Sequence, residues 1–156
     1  MATTTTKLMT FAEFEQLPNI PEGFPFELRH GELVKLVFPK MKHSRVQWQL
    51  RRLLERAAGQ AGIVEKEVGF RPVPEHEYRI ADVAFISKGR WDSADDYLFG
   101  APEIVIEVLS PSNTATEMLD KEKLCLENGC LEFWIVDPTL RLVKVSTPDS
   151  RAITYS

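Results

Sequence analysis

Two apolar stretches decide how this chain folds: Tyr78-Arg-Ile-Ala-Asp-Val-Ala-Phe-Ile86 and Glu103-Ile-Val-Ile-Glu-Val-Leu109. Both are short and rich in β-branched residues, which is typical of strands inside a sheet. Each carries one carboxylate at its centre, Asp82 in the first stretch and Glu107 in the second. Because a buried carboxylate without a partner is destabilising or takes up a proton, we expect both side chains to have a partner.

The two-residue period of a strand predicts which side chains accompany each carboxylate. In the first strand one predicted face holds Ile80, Asp82, Ala84 and Ile86. In the second strand one predicted face holds Val105, Glu107 and Leu109. If the strands are neighbours, the two carboxylates can lie on the same side of the sheet, where they would repel each other. Two explanations are then open. The carboxylates share a divalent cation such as Mg²⁺, or one of them pairs with a buried Arg or Lys, for example Arg79.

Composition places the chain among ordinary globular proteins. It has 156 residues, 44% of them apolar, which is enough for a hydrophobic core. We expect one domain over residues 1–156, with an N-terminal helix and hairpin over 10–38 and a core over 44–146. The chain has no apolar run long enough for a membrane span and no signal-peptide pattern, so we expect a cytoplasmic protein with no membrane partner. The two cysteines, Cys125 and Cys130, are predicted to be free thiols.

The charge is unevenly distributed along the chain. The net charge is −4, yet six basic residues and one acid lie between Lys40 and Arg56. A helix is predicted over 44–58, and its polar stripe contains Arg45, Arg52 and Arg56. Such a stripe is compatible with contacts to a phosphate backbone and equally with a solvated helix face.

The remaining elements follow from periodicity, turn residues and caps. The predicted order is a short helix from Phe11, a loop from Pro18 to Pro25, a hairpin over 26–38 that turns at His30-Gly31, the helix over 44–58, a strand from Ile63, the Asp82 strand, a loop over 87–102, the Glu107 strand, a helix from the Thr114 capping box to Asn128, and strands over 131–137, 141–146 and 152–155. The apolar face of the first long helix is predicted to contain Val46, Leu50, Leu53, Leu54 and Ala57. That of the second contains Ala115, Met118, Leu119, Cys125 and Leu126. This order predicts an α+β (mixed α/β) fold, in which helices flank a mixed central sheet and a hairpin lies at the N-terminus.

Four segments resemble the Uma family of putative restriction endonucleases, which belongs by fold to the PD-(D/E)XK nuclease superfamily. They are Phe26-Glu-Leu-x-x-Gly-Glu-Leu-Val34, Ile80-Ala-Asp-Val-Ala-Phe85, Gly100-Ala-Pro-Glu-Ile-Val-Ile-Glu-Val-Leu-Ser-Pro-Ser112 and Glu132-Phe-Trp-Ile-Val-Asp-Pro138. The similar stretches run from about Phe11 to Val145. The resemblance implies a restriction-endonuclease-like core with a metal bound by carboxylates on adjacent strands.

The resemblance also assigns roles to particular residues. It implies that Asp82 and Glu107 are catalytic and hold Mg²⁺ or Mn²⁺. The superfamily lysine, often two residues after the glutamate, is absent because that position is Leu109. The Uma pattern instead implies a catalytic lysine on the following helix, at Lys121. Lys123, at the other edge of the apolar face of that helix, is the second choice.

Three further positions match the family as auxiliary candidates. His43 is a candidate for proton transfer or phosphate contact, with a loop histidine of no catalytic role as the alternative. Glu32 is a candidate extension of the acidic cluster, and Glu27 matches the same motif. For both, a purely structural role in the hairpin is the other open reading.

The sequence thus favours a metal-dependent endonuclease acting on nucleic acid, with DNA as the expected substrate. Asp82, Glu107 and Lys121 would carry the chemistry, and Arg45, Arg52 and Arg56 would contact the backbone. Two other hypotheses stay open: a non-catalytic nucleic-acid- or protein-binding module with the nuclease fold, and a hydrolase of a small phosphorylated molecule. Analogy with the superfamily suggests a homodimer.

Overall fold

The structure is a computed structural model that describes residues 6–18 and 25–156. Most of the predicted loop from Pro18 to Pro25 lies outside the described residues. The elements are α1 (Phe11–Glu15), β1 (Phe26–Arg29), β2 (Glu32–Lys35), α2 (Met41–Ala58), β3 (Gly62–Arg71), β4 (Arg79–Ser87), α3 (Lys88–Ser93), β5 (Leu98–Phe99), β6 (Ile104–Val108), α4 (Ala115–Leu126), β7 (Glu132–Asp137), β8 (Leu142–Ser146) and β9 (Ala152–Tyr155).

A mixed sheet forms the centre of the fold, as predicted. Its strand order is β5-β3-β4-β6-β7-β8-β9, and the hairpin β1-β2 forms a separate two-stranded sheet. The strands that carry Asp82 and Glu107 are antiparallel neighbours, whereas β6 and β7 are parallel and joined through α4. The two carboxylate strands therefore lie side by side within the sheet, with strands on both sides of the pair.

Helices cover the two faces of this sheet. α2 packs Val46, Leu50, Leu54 and Ala58 onto one face, and α4 places Cys125 in the core on the other. Both cysteines are free, as predicted, and both are buried. Among the described residues, no helix is long and apolar enough to cross a membrane.

The N-terminal hairpin forms as predicted and docks on β4. His30 and Gly31 form its turn, both with positive φ, at 48° and 80°. Leu28 is fully buried and exchanges two backbone hydrogen bonds with Tyr78, each of 2.9 Å. This docking carries the side chains of β1 to the edge of the carboxylate site.

Both long helices differ from prediction in the faces they bury. α2 starts at Met41 rather than Ser44, and it exposes Leu53 and Ala57 while it buries Gln47.

α4 begins at the predicted Thr114 capping box. The helix exposes Ala115 and Leu119 and buries Lys121 and Glu122 instead. In each helix a polar side chain that contacts a carboxylate of the site, Gln47 in α2 and Lys121 in α4, is buried although it was not part of the predicted apolar face.

The segment over 87–102 is also more regular than the predicted loop. It contains the helix α3 and the short strand β5, which extends the sheet beside β3. Arg90 of α3 donates to the carbonyl oxygens of Phe99 and Ala101 at 2.6 and 2.9 Å, and these bonds tie the segment to itself.

Candidate active site

The site forms where β4 and β6 stop pairing. Their ladder ends at the pair Val83–Ile106, so the next residues in register are Asp82 and Glu107. The Asp82 carboxylate continues the bonding in place of the backbone, because its Oδ2 accepts a hydrogen bond of 2.7 Å from the Val108 N–H. The end of the ladder thus brings the two predicted carboxylates together.

Helix α2 supports Asp82 from one side of the sheet. His43 lies in the first turn of the helix rather than in a loop, with its Nε2 3.4 Å from Asp82 Oδ1. Gln47, one turn later, places its Nε2 3.4 Å from the same oxygen. The hydrogen bond to Asp82 raises the pKa of His43. Burial alone would raise the pKa of Asp82, but the bond with His43 and the charge of Lys121 outweigh burial and lower it.

Opposite Asp82 on β3 lies Glu67, which has the unusual φ of +54°. The β3–β4 ladder pairs Lys66 with Val83 and Val68 with Ala81 but omits Glu67 and Asp82. The alternation of faces is interrupted here. Ala81 packs in the same core as Ala84 and Ile86, and Val83 packs in the other. The prediction that Asp82 shares a face with Ala84 and Ile86 was therefore wrong, because the pairing of β3 with β4 is interrupted at Glu67 and Asp82. Ile80 does line the same cavity as Asp82.

The side chain of Glu67 contacts a residue that also approaches Asp82. Its Oε1 accepts a hydrogen bond of 2.7 Å from Gln47 Nε2, the same atom that approaches Asp82. A left-handed conformation destabilises a residue with a Cβ by about 1–2 kcal/mol. The strain is thus linked to the orientation of Gln47, and strain of this kind is often found at functional sites.

We expect Glu67→Gly to be more stable than Glu67→Ala by about 1 kcal/mol, because only glycine adopts this φ without strain. Both variants lose the bond to Gln47, so the comparison isolates the backbone. Urea unfolding measures the difference. Glu65 on the same strand is the matched control, because its φ is not positive and alanine should there be the more stable by about 0.5–1 kcal/mol. If alanine were the more stable replacement at both positions, the backbone strain at Glu67 would be contradicted.

Lys121 and Glu107 form the buried part of the site. Their side chains are 7% and 5% exposed, and Lys121 Nζ contacts Glu107 Oε1. The ammonium also donates to the carbonyl oxygen of Ile80 at 2.6 Å. Burial raises the pKa of Glu107 well above its ordinary value, and the charge of Asp82 adds to this, against the opposing effect of Lys121. Burial alone would lower the pKa of Lys121, but Glu107 and Glu27 outweigh it and raise it, so the amine is cationic.

Glu27 is the residue of the site whose place the sequence left open. It lies on β1, is 1% exposed, and its Oε1 accepts from Ile80 N at 2.8 Å and from Lys121 Nζ at 3.3 Å. Its other oxygen accepts from Arg29 Nε at 2.6 Å. Glu32, the auxiliary candidate from the same motif, is exposed on β2 and does not line the cavity described below. Only the docking of the hairpin on β4, which sequence periodicity does not encode, distinguishes the two glutamates.

A second ion-pair network fixes α4 and hence Lys121. Arg79, 1% exposed, donates to Glu77 at 2.7 Å and to Asp120 at 3.0 Å. His30 of the hairpin turn lies against the same two acids, at 2.7 and 2.8 Å. Arg79 is thus bound to Glu77 and Asp120 rather than to Asp82 or Glu107. Of the two explanations raised for the carboxylates, the ion pair with a buried base applies to Glu107, through Lys121.

A cavity of about 550 Å³ opens onto these groups. Asp82, Glu107, Lys121, Glu27 and His43 all line it. Its other lining groups include the cations Lys40 and Lys42, the apolar segment from Leu36 to Pro39, and the turn from Ser110 to Asn113. The predicted backbone contacts Arg45, Arg52 and Arg56 are exposed on α2 and do not line the cavity. Lys123, the second lysine candidate, is 75% exposed and lies near Glu127.

The chemistry of the donors fits a hard divalent cation. Asp82 and Glu107 supply carboxylate oxygens in one cavity, and a cation between them would offset both the burial and the charge of Asp82 that raise the pKa of Glu107. Among the described residues, no group of three or more His, Cys, Asp and Glu side chains is arranged to hold a metal. Two carboxylates completed by water and substrate phosphate are nevertheless the usual ligands of Mg²⁺.

The α+β architecture, with its mixed sheet and flanking helices, is that of a restriction-endonuclease-like fold. The chain belongs to the Uma2 family, described as "Putative restriction endonuclease", whose model matches residues 11–155. The fold is similar to the crystal structure of a putative nuclease belonging to DUF820 from Anabaena variabilis ATCC 29413, with a TM-score of 0.81 and 21% identity over 94% of this chain and 84% of that chain. No curated protein matches the chain. The resemblance and the fold class predicted from the sequence are confirmed.

Proposed function

We propose that this protein is a Mg²⁺- or Mn²⁺-dependent endonuclease that hydrolyses phosphodiester bonds of nucleic acid, with DNA as the expected substrate. The observation that carries the proposal is the contact of Lys121 with Glu107 in one cavity with Asp82. Membership of a family of putative restriction endonucleases supports the choice of nucleic acid. Lys40 and Lys42 line the cavity, and their positive charges favour an anionic substrate.

Each residue has a task in this reaction. Asp82 and Glu107 would hold the cation, with the Val108 carbonyl as a further oxygen donor. The cation, when bound, lowers the pKa of a water and offsets charge on the phosphate. Lys121 orients the attacking water and stabilises the negative charge that develops on the phosphate. His43 and Gln47 keep the Asp82 carboxylate in place, and Arg45, Arg52 and Arg56 contact the nucleic-acid backbone farther away.

Cleavage of supercoiled plasmid with Mg²⁺, with Mn²⁺ and with excess EDTA tests this function. We expect cleavage with either cation and none with EDTA. Cleavage that persists in EDTA would contradict the metal-dependent mechanism. Binding of DNA without cleavage under all conditions would favour the non-catalytic module. Cleavage of a small phosphodiester alone, with DNA binding insensitive to salt, would favour the small-molecule hydrolase, because contacts with several phosphates make binding strongly salt-dependent.

A further inference from the structure

All three N–H groups of the Lys121 ammonium are directed to oxygens of the protein. A lysine ammonium donates at most three hydrogen bonds. Here Nζ donates to the carbonyl oxygen of Ile80 at 2.6 Å and to Glu27 Oε1 at 3.3 Å, and it also contacts Glu107 Oε1. In the proposed reaction, however, Lys121 orients a water and approaches the phosphate. One of these three contacts must therefore be released before Lys121 can act on a substrate.

Glu107 is the partner that Lys121 releases when a cation binds. The proposed function makes Glu107 a metal ligand, whereas it leaves Ile80 and Glu27 as contacts within the protein. A divalent cation on the Glu107 carboxylate repels the ammonium and offsets the negative charge that attracts it. The side chain of Glu107 is only 5% exposed, so dissolved salt screens this repulsion weakly. The cation and the ammonium therefore compete for the same carboxylate.

Glu27 and Ile80 hold the ammonium by contacts that do not involve Glu107. The N–H of Ile80 donates at 2.8 Å to Glu27 Oε1, the same oxygen that accepts from Lys121. Arg29 Nε donates to the other oxygen of the Glu27 carboxylate at 2.6 Å. The carboxylate is 1% exposed and is fixed by these bonds. It therefore stays beside Lys121 when Glu107 binds a cation.

We propose that Glu27 is a positioning residue, which keeps the Lys121 ammonium in the cavity after a cation has taken its place at Glu107. The inference deepens the proposed function and rests on it, because it concerns the same metal and the same lysine. The negative charge of Glu27 offsets the ammonium, so that the ammonium and a divalent cation can lie in one cavity. The N–H group released from Glu107 then binds the water or the phosphate. The N-terminal hairpin, which carries Glu27, thus contributes to the active site.

Calorimetric titration with Mn²⁺ tests this role in Glu27→Gln, which keeps the length of the side chain and removes its charge. We expect the affinity for Mn²⁺ to fall by about 10- to 100-fold, as for other residues that support a metal ligand. Glu32→Gln is the matched control, because it makes the same change on the same hairpin at an exposed position that does not line the cavity. It should bind Mn²⁺ as the wild type does. Unchanged affinity in Glu27→Gln, with a folded circular dichroism spectrum, would overturn the inference.

A double-mutant cycle with Lys121→Met separates positioning from a direct effect of charge on the cation. Lys121→Met should bind Mn²⁺ more tightly than the wild type, because no ammonium competes for Glu107. In that background Glu27→Gln should weaken Mn²⁺ binding less than it does in the wild type, by a factor of about 2 to 100, because no ammonium remains to be held. Weaker binding by Lys121→Met, or an equal loss in both backgrounds, would contradict the positioning role.

NMR of the ammonium groups in isotope-labelled wild-type protein tests the same idea without any substitution. Mg²⁺ should shift the Lys121 signal and leave it observable, because the ammonium leaves Glu107 but stays bound to Glu27 and Ile80, away from solvent. An unchanged signal would exclude competition for Glu107, and a signal lost to solvent exchange would exclude retention by Glu27. Either result, in a wild type that binds the cation, overturns the role of Glu27 alone. A wild type that binds neither Mn²⁺ nor Mg²⁺ would overturn the proposed function as well.

Discussion

Asp82→Asn is expected to abolish Mn²⁺ binding and to lower the rate of DNA cleavage by more than about 100-fold, while the protein stays folded. Changing residues that only support a metal ligand already lowers affinity or activity 10- to 100-fold, and Asp82 is a proposed ligand itself. Asparagine keeps a carbonyl oxygen that can accept from Val108 N–H, now 2.7 Å from Asp82 Oδ2. It loses the negative charge that attracts the cation, so function should be lost without loss of the strand contact.

Calorimetric titration with Mn²⁺ and a plasmid cleavage assay measure the two effects. Asp95→Asn is the control of equal charge change, because Asp95 is exposed on the segment between α3 and β5. It should bind Mn²⁺ and cleave DNA as the wild type does. Unchanged cleavage by Asp82→Asn would refute the assignment of this residue. Lost cleavage with intact Mn²⁺ binding would move the metal site elsewhere.

The sequence predicted the centre of this site because two strong local signals coincide there. Asp82 and Glu107 each interrupt an apolar run, which periodicity assigns to buried strands, and the family resemblance implied that these strands are adjacent. The same rule failed at Glu67, since no residue type announces a left-handed conformation within a strand. The side chain of Glu67 accepts a hydrogen bond from Gln47, a contact between distant residues that the local sequence does not encode.

The buried faces of the helices show the same limit. Periodicity assigns apolar residues to the core, so it placed Leu119 inside and treated Lys121 as an edge residue. In the structure Leu119 is 57% exposed and Lys121 is 6% exposed, because the acids of two strands and the hairpin surround the ammonium. Hydrophobic periodicity cannot predict that a charged residue is buried when its ion-pair partners are distant in the sequence. Here the family resemblance, and not the periodicity, indicated Lys121.

Lys121→Met is expected to lower the free energy of unfolding by about 3–5 kcal/mol at neutral pH, because it removes one partner of a buried ion pair. Without the ammonium, Glu107 and Glu27 stay buried at 4% and 1% exposure and lose a shared cation. Methionine has a similar length and fills the space. Most of the loss therefore comes from charge, and adding Glu107→Gln to Lys121→Met should recover part of it. Urea unfolding of the single and double variants measures this coupling.

The exposed lysine two residues later on α4 provides the matched control. Lys123→Met removes the same charge from the same helix at a position 75% exposed, so stability should change by no more than about 0.5 kcal/mol. Cleavage should survive in Lys123→Met and be lost in Lys121→Met. Equal effects of the two substitutions would contradict both the buried ion pair and the catalytic assignment of Lys121.

The pH dependence of the stability lost in Lys121→Met tests whether that loss comes from charge. Burial first, and then the charge of Asp82, raise the pKa of Glu107 in the folded protein, and Lys121 opposes them. A carboxyl group whose folded pKa exceeds its unfolded value binds more protons when folded, so its contribution to stability falls as pH rises from the unfolded towards the folded pKa. Loss of Lys121 strengthens this effect. The difference in free energy of unfolding between the wild type and Lys121→Met should therefore be largest at neutral and higher pH and become smaller on acidification. At neutral pH it should also become smaller when Mg²⁺ supplies the missing positive charge. A difference that is the same at every pH would mean that Lys121 stabilises the fold by packing alone.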